Sequence, residues 1–318
     1  MDITSLYYFV ETAKDLHITK TADRLYLSQQ TLSNHIQRLE EYFGVPLLYR
    51  KPVLSLTCAG EYVLEFCKTV ERENINLQDI LTDIEHQEKG FLRVGASLAR
   101  AKYCLPRVLP EFSARYPNVE IRYTDALSSK LEPMILNGEL DFAIVLSDST
   151  NPSLIRHELL RDQVYLFVSD RLLDTYYQEG KEALKEQALN GAHVEHFARL
   201  PFALPDNRLG ETIRACFNEA GFTPRTYMRS SHSSLVLPLC SMGLAACFIT
   251  HMCLVDWKEQ IAEDVNIFPL YLGEQSLSQN ISLIYRKDRY LSHYSNYFME
   301  ILFRLFADTE QIKLIHKV

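Results

Sequence analysis

Between Cys58 and Glu88 the chain has no proline, and Val63, Phe66, Val70, Leu77, Ile80 and Ile84 fall on a seven-residue repeat broken only at Glu73. That spacing predicts one helix of about 30 residues, ~45 Å long, with an apolar seam along it. Such a helix is longer than a small domain needs, so it divides a short N-terminal unit from a large C-terminal one. The seam packs either on its own chain or on a second copy, and the regular repeat favours a homodimer.

Ahead of this stretch, Leu6, Phe9, Val10 and Ala13 recur at helical spacing. A second short helix is expected from about Thr19 to Tyr26. A third should start at Ser28, a good N-cap, carry Leu32, Ile36, Leu39 and Phe43 as its buried stripe, and stop at Gly44. Only Leu27, Ser28 and Gln29 separate the last two, so they must cross steeply, which is helix-turn-helix geometry. The following VPLLYRKPVLSLT reads as a short hairpin with a basic Arg50-Lys51-Pro52 tip, a wing. These patterns place a winged helix-turn-helix at residues 1–57 and a linker helix at 58–88.

From Gly90 onward strands alternate with helices: FLRVGAS, a helix at roughly Pro106–Tyr116, VEIRYTD, a helix at roughly Lys130–Asn137, and LDFAIVL. A second unit of the same texture follows, with VYLFVS, PFALP, a polar SSHSS helix start and GLAACFI. NIFPLYL, ISLIYRKD and a helix at 292–306 read as a return to the first unit. The expected architecture is α/β: a two-lobed periplasmic-binding-protein-like effector domain at 89–318, with lobe I at 90–161 and 268–318 and lobe II at 162–267. Ligands in such folds sit in the cleft at the C-terminal ends of the strands.

The net charge of −8 over 318 residues argues, taken whole, against a nucleic-acid partner. Local counting softens this: residues 1–57 are neutral, and much of the acidity lies in 58–89, with eight Asp/Glu against three Lys/Arg. A neutral module still docks on DNA if its cations share one face. The absence of a long apolar run or an N-terminal leader pattern predicts a cytoplasmic chain with no membrane partner. The seven cysteines (Cys58, Cys67, Cys104, Cys216, Cys240, Cys247, Cys253) are odd in number and never spaced C-x-x-C, so they read as reduced and mostly buried thiols. A metal or redox role around Cys247, His251 and Cys253 is the minor alternative, and no cofactor is implied.

TKTADRLYLSQQTLSNHIQRLEEYFGVPLLYR resembles the N-terminal signature of LysR-type transcriptional regulators. The matches are Ala22, Leu25, Ser28, Gln29, Leu32, Ser33, Ile36, Leu39, Glu40, Gly44, Leu47 and Arg50, then Leu56-Thr57 and Ala59-Gly60. Thr21, Asn34 and Leu48 depart from the pattern; Asn34 bears on what the DNA face reads. LPRVLPEFSARYPNVEI and LNGELDFAIV also look like the family's effector domain, by pattern more than identity.

The resemblance implies a DNA-binding regulator acting as a dimer or tetramer on double-stranded promoter DNA, modulated by a small effector, anionic by the chemistry of the residues below. In such a module the second helix of the motif enters the major groove, where Gln and Asn pair with adenine and Ser or Thr serve phosphate or base. Gln29, Gln30, Thr31, Ser33 and Asn34 are placed to meet bases, and Arg38, Arg50 and Lys51 to meet phosphate or the minor groove. Their plain alternative is a solvated helix surface. Glu40 reads as a support of the fold, through Arg24 or Arg38.

For the effector, Ser97, Ser128 and Ser129 follow strands at helix starts, suiting a carboxylate, and Arg100 is placed to neutralise one; the second lobe contributes the Phe202–Asp206 loop, His232 at the head of a helix and Thr250 at the end of a strand. Ser97 and Ser128 read equally as plain helix caps. No G-x-S-x-G, Walker loop, G-x-G-x-x-G or H-E-x-x-H occurs, which argues against an enzyme. The rival readings are an enzyme with an unrecognised site in the two-lobed domain and a small-molecule-binding protein or transport receptor; the 88 extra N-terminal residues oppose the receptor.

Overall fold

The computed structural model describes residues 1–51, 53–85, 89–146 and 151–312. Pro52 of the expected wing tip, the Ile84 side chain of the expected seam and residues 86–88 at the expected linker end lie outside the described residues.

The chain opens with α1 (Ile3–Asp15), α2 (Ile18–Arg24) and α3 (Gln29–Phe43). Asp2 caps α1 through Ser5 N–H at 2.8 Å, and Ser28 caps α3 through Thr31 N–H at 3.0 Å. Gly44 ends α3 at φ +70°, the left-handed conformation its missing Cβ permits. Leu6, Phe9, Val10, Leu32, Ile36 and Leu39 fill the core beneath. β1 (Leu48–Tyr49) and β2 (Ser55–Leu56) pair antiparallel as the wing.

Helix α4 (Cys58–Glu85) has 28 residues, ~42 Å of helix. The helix divides the predicted seam: Val63 and Val70 pack on the α1–α3 core with Cys67, whereas Phe66 and Leu77 are exposed, as are Tyr62 and Leu81 outside the seam.

The rest forms β3 (Lys89–Ala96), α5 (Leu98–Arg115), β4 (Asn118–Asp125), α6 (Ser128–Leu136), β5 (Phe142–Leu146), β6 (Leu154–Ser169), α7 (Asp170–Tyr177), α8 (Lys181–Leu189), β7 (Pro201–Pro205), α9 (Arg208–Glu219), β8 (Arg225–Ser230), α10 (Ser233–Ser241), β9 (Ala246–Thr250), α11 (His251–Trp257), β10 (Val265–Pro269), β11 (Tyr271–Leu272), β12 (Gln275–Ser276), β13 (Ser278–Arg286) and α12 (His293–Gln311). The strands run in the order β4-β3-β5-β13-β6-β9-β7-β8, with β10 on β6. β3, β4 and β5 are parallel within lobe I, and β7, β8 and β9 within lobe II. Sixteen-residue β6 passes from one lobe to the other, and β13 returns beside it.

Two expectations are corrected. The first lobe I helix starts at Leu98, not Pro106, because Pro106 and Pro110 both lie on its exposed face, where the carbonyls they leave unpaired meet water. NIFPLYL does not return to lobe I at residue 268. Val265–Pro269 pair with Tyr165–Ser169, and Phe268 and Leu270 are buried in the lobe II core, so the return comes with β13 at Ser278.

A polar joint fastens α4 to lobe I. Asn76 is buried; its Oδ1 accepts from Arg289 (3.1 Å) and Tyr290 N–H (3.2 Å), and its Nδ2 donates to the Asp288 carbonyl (3.3 Å). Arg289 continues to buried Asp141 at 2.6 Å, which also takes Arg93. Glu73 lies 3.6 Å from buried Arg286.

Candidate nucleic-acid interface and ligand cleft

On α3, Gln29, Gln30, Thr31, Asn34 and Arg38 are exposed and Ser33 is half-buried; Gln30, Asn34 and Arg38 lie on the face opposite Leu32, Ile36 and Leu39, with Gln29, Thr31 and Ser33 at the N-terminal end and flanks of that face. Gln30, Asn34 and Arg38 follow one another at four-residue spacing, so they line one ridge. Two candidates have local duties: Thr31 Oγ1 sits 2.8 Å from Ser28 Oγ in the cap, and Gln29 Oε1 accepts from Thr19 at 3.3 Å.

Glu40 supports the fold by a different route from the one expected. Its Oε1 accepts from Leu47 N–H (2.9 Å) and Leu48 N–H (3.3 Å), and its Oε2 from Arg50 at 3.2 Å, tying the wing to α3. Arg24 turns away to Glu11 and Asp15. Pairing thus occupies Arg24, while Arg38 makes no ion pair among the described residues and Lys51 is exposed at the wing.

The C-terminal ends of β3, β4 and β5 face those of β7, β8 and β9 across a cleft, and Arg208 at the head of α9 bridges it by donating to the Leu146 carbonyl. Helix α9 can sit this close to β7 because of Gly210, where a Cβ would come within 1.9 Å of the Pro205 carbonyl oxygen.

The structure brings buried Arg100 and Thr250, joined through Asp162, together with half-buried Ser128 at the cleft floor. Arg100 donates to the Ile144 carbonyl (3.0 Å) and Ser128 Oγ (3.3 Å), and Ser128 Oγ also accepts from Leu146 N–H at 2.9 Å. Burial pulls the Arg100 pKa below the ordinary guanidinium range, and the field of Asp162 is among the charges that oppose this. Asp162 accepts from Met252 N–H at 2.8 Å and from Thr250. Burial pushes its carboxyl up to about 6, against the pull of those hydrogen bonds and of Arg100. Ser97 sits at the α5 N-cap without a side-chain cap bond, Ser129 is exposed one residue into α6, and His232 is exposed at the head of α10.

Two cleft expectations change. Phe202 is fully buried, stacked on Phe248 at 5.6 Å and edge-on to Phe217 at 5.2 Å, so it is lobe II core and not a ligand contact. Arg100 is not an exposed cation awaiting an acid; its guanidinium already bonds to lobe I. Open space in the cleft lies beside them, as a cavity of about 370 Å³ lined by Leu146, Glu158, Arg161, Arg208, Thr212, Ser278, Gln279 and Asn280. None of these was singled out from sequence. The available signal was the charges Arg156, Glu158, Arg161 and Asp162 in the first half of a strand whose second half is apolar, and it does not say which of them share a wall.

His251 is occupied by Tyr165 (3.4 Å) and the Thr309 carbonyl (3.2 Å), and burial pushes the Cys247 thiol well up. Among the described residues no group of His, Cys, Asp or Glu is arranged to hold a metal, and no helix is long and apolar enough to cross a membrane.

A winged helix-turn-helix, a long linker helix and a two-lobed domain with a polar cleft together define a ligand-responsive DNA-binding regulator. Residues 3–61 match the family of bacterial regulatory helix-turn-helix proteins of the lysR family, and residues 85–307 match the LysR substrate binding domain. The chain belongs to the LysR family and is a LysR-type transcriptional regulator. It is 27% identical over 95% of its length, and 94% of the relative's, to the uncharacterized HTH-type transcriptional regulator YcgK of Bacillus subtilis. Its fold resembles a full-length OxyR variant from Pseudomonas aeruginosa (TM-score 0.64, 20% identity, 96% of this chain and 94% of that one). It also resembles full-length CbnR complexed with its target DNA (TM-score 0.56, 20% identity, 96% and 100%).

Proposed function

We propose that this regulator works in the cytoplasm as a homodimer joined through α4, assembling further into a tetramer through the effector domains, and binds a partly palindromic promoter site. The polar ridge of α3 reads bases while Arg38, Arg50 and Lys51 hold phosphates. An effector in the interlobe cleft, bordered by Ser97, Ser128, Ser129, His232 and Thr250, shifts the arrangement of the protomers and the bend of the DNA. The ligand must bind one arrangement better than the other, because equal affinity shifts nothing. The chain performs no catalysis in this reading.

The observation that carries the reading is the α3 face: two amides and a cation, Gln30, Asn34 and Arg38, on one side of a helix whose other side is the domain core. The fold it shares with a regulator solved on its target DNA supports it. The test is binding of the full chain to its own upstream DNA at two salt concentrations, beside Gln29→Ala and Ser33→Ala. Specific binding that weakens with salt and is lost in the variants is expected. Binding no tighter than to random DNA, there and on genomic fragments, would return the enzyme and receptor readings.

A further inference from the structure

The 370 Å³ cavity lies near the small end of ligand sites, which run from about 300 to 1,000 Å³. Its lining is unusual in sign: Arg161 and Arg208 are cations, Glu158 is an anion, and Thr212, Ser278, Gln279 and Asn280 supply only hydroxyls and amides. Among the described residues Leu146 is the one aliphatic contact, and no aromatic ring lines the wall as a platform for a planar ligand.

Glu158 and Arg161 share this cavity because of a defect in the strand. Along a regular strand, residues three apart point to opposite faces. Here β6 pairs Leu160 with Ile281 and Glu158 with Ser282, leaving Leu159 as an extra residue, and the bulge turns Glu158 onto the wall that carries Arg161. The two do not neutralise each other. Arg161 Nε donates to Ser278 at 2.9 Å, and Glu158 makes no ion pair among the described residues.

A wall that presents separated charges of both signs, with neutral donors and acceptors between them, complements a small molecule with the same pair reversed. We infer that the cavity binds a zwitterion of amino-acid size, its carboxylate toward Arg161 and Arg208 and its ammonium toward Glu158. The inference rests on the cleft being the effector site and narrows what enters it. A simple carboxylate leaves Glu158 beside its own negative charge, and an amine leaves Arg161 unanswered. The ligand's carboxylate also competes with the Leu146 carbonyl for Arg208, which gives occupancy a way to alter how the lobes are held together.

The test uses the full chain and a panel of the common L-amino acids, each beside its 2-hydroxy acid and its decarboxylated amine, followed by calorimetric titration. At least one amino acid should bind more than about tenfold tighter than either partner, as expected where a charge-assisted bond is lost. Glu158→Gln should erase the preference for the ammonium while leaving the 2-hydroxy acid's affinity unchanged or improved, and Arg161→Gln should weaken both.

If none of the amino acids binds, or the 2-hydroxy acids bind as well and Glu158→Gln changes nothing, the zwitterion assignment is wrong. A carboxylate or neutral compound that binds and moves the DNA footprint would sink the assignment and keep the effector reading. An amino acid that binds through Glu158 yet leaves the footprint unmoved would keep the assignment and sink that reading.

Discussion

Arg38 sits one turn beyond Asn34 and two beyond Gln30 on the outer ridge of α3, exposed and without an ion pair among the described residues. A cation so placed serves phosphate, and phosphate carries no sequence. Arg38→Ala should therefore weaken binding to the cognate site and to random DNA by similar factors and lower the slope of log affinity against log salt by about one. Gln30→Ala should instead cost about 1–3 kcal/mol on the cognate site alone. Fluorescence anisotropy on both DNAs at several salt concentrations separates the two, and a specific-only loss for Arg38→Ala would make it a base reader.

At the cleft floor, Asp162 titrates near 6 against an ordinary 3.8, so the folded state holds its proton more tightly than the unfolded one. Its contribution to stability is present at low pH and is lost as pH rises through about 6. Arg100 from α5 and the Thr250 hydroxyl with the following N–H groups at the head of α11 face it and limit that loss. Asp162→Asn cannot ionise, so its stability relative to wild type should rise between pH 4 and 7 by on the order of 3 kcal/mol. Melting curves that stay parallel across that range would show that Asp162 does not titrate there.

At the level of elements, the exposed face of α4 matters most. Leu77 and Leu81 project from it, exposed and outside the core clusters of the described residues, and Phe66 stays largely exposed with only an edge-on contact to Phe43, whereas Val63 and Val70 pack on the core. If this face joins two protomers, Leu77→Lys buries a charge in the seam and should weaken dimerisation by roughly 2 kcal/mol or more. Sedimentation at micromolar concentration reads this directly; an unchanged dimer would place the interface elsewhere.

Elements defined by local rules were legible in the sequence. Ser28 and Gly44 bound α3 by capping chemistry that needs only neighbours, and the two helices around Leu27 follow from spacing. What was lost depended on tertiary context. Proline is read as a helix breaker, yet Pro106 and Pro110 are tolerated because packing turns both to water. NIFPLYL was assigned to the wrong lobe because strand pairing over about 100 residues leaves no local mark. Phe202 and the cavity lining erred for the same reason: alternation and spacing show that a side chain points out of a strand, not which surface covers it, and the bulge at Leu159 shifts the alternation itself.

For the whole molecule, the question is how a cleft in the C-terminal domain reaches α3, and the Asn76 joint supplies a physical route. It grips α4 nine residues before the helix ends and holds it to the Asp288–Tyr290 turn beyond β13, the strand whose other end lines the cavity. A shift of β13 on ligand binding is then carried into α4 and not absorbed between the domains. The joint is also costly to break, because removing Asn76 deprives Arg289 and Tyr290 N–H of an acceptor in a place where water is scarce. Asn76→Ala should lower stability by about 1–3 kcal/mol and divide thermal unfolding into two transitions, since the two units then stabilise each other less and only the Glu73–Arg286 contact of the joint remains. The α3 face is untouched, so affinity for DNA without ligand should stay within about threefold, while any effector-driven change in footprint should shrink. Scanning calorimetry beside footprinting tests both halves. A single transition at the wild-type temperature would show that the joint carries no coupling, and the signal from the cleft would have to travel through contacts between protomers.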